Sequence, residues 1–138
     1  MKILRLILVG LILFGIDNAY SQTVNCVGNY EIEFTKVPEA GGGPAITKLI
    51  AGKLEGTNFS GLRIVLYAKA GGKWWVQPTT ENPFTSIGKD GKWQNETHLG
   101  IQYAAIIVSK TYKPSSKLQT LPAIESDVHG ICITDATK

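Results

Sequence analysis

Along the segment NYEIEFTKV, Tyr30, Ile32 and Phe34 alternate with Glu31, Glu33 and Thr35. A period of two with one apolar side predicts a half-buried β-strand. EAGGGPA then stops both helix and ladder with three glycines and a proline. ITKLIAGKLEG predicts a second strand, with Gly52 marking a bulge or an edge. In LRIVLYAKA, Ile64, Leu66 and Ala68 share one face while Val65 and Tyr67 share the other. A strand that is apolar on both sides belongs at the centre of a sheet. The next glycines, Gly71 and Gly72, suit the positive dihedrals of a tight turn, so KWWVQ pairs back as a hairpin.

PTTENP reads as a loop fixed by Pro78 and Pro83, and FTSI as a short strand. GKDGKW predicts a second hairpin turn through Asp90-Gly91. KWQNETH leads to YAAIIVSK, another run with two apolar faces, and VHGICITDA is the last strand. Between them TYKPSSKLQTLPAIESD is a long, polar, proline-bearing connection. No stretch holds a 3.6-residue period for three turns with caps. About seven or eight short strands with turn signals between them predict an all-β fold, an antiparallel sandwich or small barrel, with the sandwich commoner at this size.

The N-terminus stands apart from this pattern. Lys2 and Arg5 precede an apolar run from Leu6 to Ile16, and Ala19 and Ser21 have the spacing of a signal-peptidase site. The run suits a secretory signal and is short for a membrane span. Residues 1–21 are therefore expected to be a signal peptide cleaved after Ser21, with residues 22–138 one domain and no membrane association after cleavage; a retained anchor is the alternative. This places the chain outside the cell or in a periplasm. The formal net charge is +3, and removing Lys2, Arg5 and Asp17 lowers it by one. The lysines are scattered, so no basic face for nucleic acid is present. Cys26 and Cys132 are the only cysteines and lie near the two ends of the expected mature chain. In an oxidising compartment they are expected to pair and clip the first strand to the last, two free buried thiols being the alternative.

Candidate chemistry is sparse. The chain has no G-x-S-x-G, no phosphate loop before a helix and no His pair at metal spacing. No cofactor and no metal site is expected, since His98 and His129 are far apart in sequence. The carboxylates fall on solvated strand positions or in turns, and nothing selects a catalytic pair. Asn58 and Asn95 each open an N-glycosylation acceptor pattern, and both read as surface loops.

The aromatic residues carry more. Tyr67, Trp74, Trp75, Phe84, Trp93, Tyr103 and Tyr112 cluster between 67 and 112. On a strand, Trp74 and Trp75 face opposite ways, so one is expected to join Ile64/Leu66 or their neighbours inside and the other to lie on the outer surface of the sheet or under a loop. An exposed indole can stack on a sugar ring while neighbouring polar groups take the hydroxyls. Alternatively, the PTTENPF loop covers the outer ring. Trp75 and Trp74 are the first candidates for a ligand platform, then Trp93 and Tyr67, with Gln77 and Asn95 as polar partners.

Residues 64–114 resemble a recurring module of bacterial secreted proteins. The shared pattern is V-x-Y (ending at Tyr67), W-W, Pro78, P-F-T-x-I (Pro83 to Ile87), D-G-x-W (Asp90 to Trp93), T-x-x-G (Thr97 to Gly100), A-A (Ala104 and Ala105) and Y-x-P (Tyr112 to Pro114). The resemblance implies an immunoglobulin-like β-sandwich of a kind that accompanies extracellular carbohydrate-active enzymes. It supplies no catalytic residues, and the cysteines lie outside it. The leading expectation is thus a secreted, non-catalytic module that binds a polysaccharide or glycan. A structural or protein-interaction module with a partner at the cell surface is the second expectation, and a small secreted enzyme the third.

Overall fold

The structure, a computed structural model, describes residues 24–138. The expected signal peptide, 1–21, lies outside the described residues. β4 (Leu62–Ala70) and β8 (Gln102–Ser109) form the centre of the larger sheet. Their two apolar faces demand cover on both sides. Beside β8 lie β10 (Val128–Asp135) and then β1 (Val24–Gly28). The other side of β4 is shared: β5 (Lys73–Gln77) pairs with its C-terminal half and β6 (Phe84–Thr85) with its N-terminal half. β9 (Lys117–Leu118) pairs outside β5. The smaller sheet has the order β2 (Ile32–Lys36), β3 (Thr47–Leu54), β7 (Lys92–His98). All these strand pairings are antiparallel, and no helix occurs among the described residues.

The fold is thus an all-β antiparallel sandwich, with ten strands among the described residues. Placing β2, β3 and β7 together, and β4, β8 and β10 together, reproduces the A-B-E and C-F-G partition of immunoglobulin-type sandwiches. Tyr103, near the start of β8, strengthens the parallel. Its hydroxyl accepts from Gly100 N–H at 3.0 Å and donates to the Glu39 carbonyl at 3.1 Å. That is the bonding of a tyrosine corner, tying the strand to backbone just upstream. Gly100 permits the close approach, because a Cβ there would stand 2.6 Å from the Lys69 carbonyl oxygen.

The core between the sheets joins Ile32, Ile50, Leu54 and Trp93 to Ile64, Leu66, Tyr103 and Ile107. Gly52 is neither an edge nor itself the bulge. It sits on the central strand of the smaller sheet, where Trp93 Cζ2 would lie 2.5 Å from an added Cβ. The register shift falls opposite, in β2 between Phe34 and Lys36. Trp93 fills the room so left and meets Phe34 edge-to-face at 5.9 Å.

A second core occupies the other face of the larger sheet. Val65, Tyr67, Trp74, Val76, Ala104, Ile106 and Ile131 lie there, with Tyr112, Leu118 and Leu121 packed on them. The polar connection read from the sequence is therefore a cover, not a free loop. Tyr67 holds it down by donating its hydroxyl to the Ser115 carbonyl at 2.7 Å, and Val76 N–H bonds the Ser116 carbonyl at 3.0 Å.

Two further outcomes concern links. GKDG does form a tight turn, with Lys92 N–H bonding Asp90 Oδ1 at 3.0 Å and Gly91 N–H bonding the Gly88 carbonyl at 2.9 Å. It is not a hairpin, because β6 is already paired with β4 and the turn delivers the chain to β7 in the other sheet. Cys26 and Cys132 form a disulfide between direct cross-strand partners of β1 and β10, with Cα atoms 4.1 Å apart. The bridge lies within one sheet, unlike the inter-sheet bridge of antibody domains.

Candidate functional site

Gly71 and Gly72, with φ of 61° and 78°, turn β4 into β5 and fix the register of the tryptophan pair. Trp74 then opposes Lys69 and Trp75 opposes Ala68, so the two rings leave opposite faces. Trp74 points to the face of Val65 and Tyr67 and is 6% exposed beneath the 110–127 cover. Trp75 points to the face of Ile64, Leu66 and Ala68, yet is 42% exposed. The ring on the inter-sheet side is thus the bare one. The smaller sheet has only three strands among the described residues, and on that side the space beside Trp75 is lined by His98, Leu99, Gly43 and Pro44.

What remains beside Trp75 is a groove of about 710 Å³. Ala68, Trp75 and Gln77 form one wall with Pro78–Glu81 beyond them, and His98, Leu99, Gly43 and Pro44 close the other side. The volume lies in the range of small-ligand sites. The Trp75 indole N–H donates to the Ala70 carbonyl at 2.9 Å, which holds the ring in place and leaves its surface for contact. The Lys117 ammonium stands 5.4 Å from the ring centre, carried there by the β5–β9 pairing. The PTTENPF loop does not cover Trp75; it contributes Pro78 to Glu81 to the groove rim.

Gln77 is buried at the floor and its bonds are spent. Its Nε2 donates to the Trp75 carbonyl at 3.1 Å. Its Oε1 accepts from His98 N–H at 2.8 Å and lies 2.9 Å from His98 Nδ1. Because an amide oxygen only accepts, this contact is a hydrogen bond when Nδ1 carries the proton. The pair stitches β5 of one sheet to β7 of the other. Asn95 makes a second stitch, donating to Thr85 Oγ1 of β6 at 2.9 Å.

The sequence candidates therefore separate. Trp75 and Gln77 line the groove together. Trp74 and Tyr67 are buried in the second core and Trp93 in the first, so none offers an open ring for stacking. The burial of the Tyr67 hydroxyl, with Tyr112 nearby, pushes its pKa well above the ordinary phenol value. Asn95 lies on β7 with its amide engaged, and Thr97 of its acceptor pattern is buried, so it is not in a surface loop. Asn58 does lie exposed outside the strands. His98, Leu99, Gly43 and Pro44 were not recognised as neighbours of Trp75. They belong to distant segments, and no local signal in the sequence joins them.

Comparison with protein-family models, curated proteins and solved structures finds no match. Fold and site together define a small antiparallel β-sandwich with an aromatic groove at one open side. Its cysteines are bridged, and no helix among the described residues is long and apolar enough to cross a membrane.

Proposed function

We propose that this protein is a secreted, non-catalytic module that binds carbohydrate in the Trp75 groove. One observation carries the reading: an indole 42% exposed, anchored through its own N–H, forms a wall of a mainly apolar groove with polar groups at its margin. A pyranose ring presents an apolar face to such a platform and hydroxyls to its rim. Thr79, Thr80, Glu81, Ser116 and His98 supply that rim. The resemblance of residues 64–114 to modules that accompany carbohydrate-active enzymes supports the same reading, as does the disulfide for the extracellular compartment. A glycan array followed by calorimetry on the retained sugars tests it. Retention on a glycan that disappears in Trp75→Ala supports the proposal; no retention on any glycan overturns it.

A second reading, a protein-interaction module, is favoured by β1. Among the described residues it ends the larger sheet, and it exposes Val24 and Val27, a form suited to addition of a partner strand. Cross-linking of the native secreted protein to a partner through β1 distinguishes it.

A further inference from the structure

Arg63 is the single arginine among the described residues, and no described carboxylate forms an ion pair with it. It is the second residue of β4 and lies on the face of the second core. Its guanidinium sits over Phe84, with Cζ 3.5 Å from the ring centre, and Nη2 donates to the Lys110 carbonyl at 2.8 Å. Those two contacts fix the fork in space. Its Nε is buried with no hydrogen-bond partner among the described residues.

The guanidinium forms one wall of a groove of about 420 Å³, whose other wall is the segment Lys110–Pro114. Lys110 and Lys113 are exposed on this segment, so three cationic side chains line one small groove. Asp127 accepts from the hydroxyls of Ser109 and Thr111, the latter a groove residue, at 2.7 and 2.8 Å. Glu125, the other acid of that region, acts on Tyr112. The balance of charge at the groove stays positive. A guanidinium fork held over Phe84, with terminal N–H groups beyond the one given to Lys110 and flanked by two exposed ammonium groups, is the donor set for an oxyanion.

We propose that the Arg63 groove binds a carboxylate, sulfate or phosphate group of a ligand. It is separate from the Trp75 groove: Arg63 and Ala68, the strand partner of Trp75, are about 17 Å apart along β4 at ~3.3 Å per residue, and they leave opposite faces. The inference stands whether or not Trp75 binds sugar.

The test is a nuclear magnetic resonance titration of the disulfide-bonded protein. The probes are sodium sulfate, sodium phosphate and sodium glucuronate, each against sodium chloride at matched ionic strength. The expected result is saturable shifts at Arg63 Nε–H and at the amides of Thr111 to Lys113 for at least one oxyanion, and none for chloride. Whichever probe saturates identifies the group. Arg63→Gln is expected to weaken binding about tenfold or more, and Trp75→Ala to leave it unchanged. Because Arg63 also packs on Phe84, the exposed double variant Lys110→Gln/Lys113→Gln provides a second measure, with about three- to tenfold weaker binding expected. Shifts that merely follow ionic strength in every salt, or that persist undiminished in both variants, overturn the proposal.

Discussion

The side-chain oxygen of Gln77 accepts from the backbone N–H of His98 at 2.8 Å and meets its ring Nδ1 at 2.9 Å. The other end of the amide is fixed by the Trp75 carbonyl, which can only accept. One buried side chain therefore joins two strands in different sheets and braces the floor beneath the Trp75 groove. Gln77→Ala orphans a backbone N–H and is expected to cost about 1–3 kcal/mol in urea unfolding. In the parent protein, nitrogen-15 spectra are expected to show the His98 proton on Nδ1 when neutral. A purely Nε2–H form would contradict the contact as a hydrogen bond.

The tryptophan pair should behave as two unlike residues. Trp74→Ala empties a buried site and is expected to destabilise by about 3–5 kcal/mol. Trp75→Ala removes a half-exposed ring and is expected to cost far less while abolishing glycan retention. Thermal unfolding paired with the glycan assay separates these outcomes. Equal destabilisation by both would contradict the sidedness of the strand.

Gly52→Ala should be among the most damaging small changes available. The new methyl would collide with Trp93 Cζ2 at 2.5 Å and with the Glu33 carbonyl at 2.6 Å, one being core and the other backbone. A loss of about 1–3 kcal/mol or more is expected, read from the urea midpoint. A companion Trp93→Phe change, which shortens the ring system, should recover part of it.

Acid sensitivity has a defined contributor in Asp127. Hydrogen bonds from Ser109 and then Thr111 hold its carboxyl below the usual carboxylate range. A group with a lowered folded pKa adds stability above its unfolded pKa, and that stability is lost as pH falls through the folded one. Asp127→Asn is therefore expected to be less stable than the parent near neutral pH. The gap should close as pH falls below the ordinary carboxylate range. A gap independent of pH would remove the assignment.

At the alkaline end the sign reverses. Burial raises the Tyr67, Tyr103 and Tyr112 phenols above their ordinary value. Their contribution is intact below the unfolded phenol pKa and declines as pH climbs past it, because only the unfolded chain ionises readily. Tyr67→Phe is expected to lose about 1 kcal/mol near neutrality with the Ser115 bond, and to lose less than the parent does between pH about 9 and 11. Urea unfolding across that interval checks it.

The strands that alternate or run apolar on both faces were legible because period two is a local property. Ile32 with Phe34, the double-faced runs of β4 and β8, and the Gly71-Gly72 hairpin all follow from neighbours in the chain. So does the rule that Trp74 and Trp75 must part. β9 has only two residues, too few to show a period, and Asp90-Gly91 signals a turn without saying which strands it joins.

Of the candidate site, the sequence determined that one indole of the pair would leave each face of β5. The tertiary structure decided which of them is bare. A seven-stranded sheet set against a three-stranded one leaves part of its inner face uncovered, so Trp75 meets the groove. The polar connection over the outer face buries Trp74 with Leu118 and Tyr67. Exposure depends on how far each covering layer extends, a property of distant segments that no local pattern encodes.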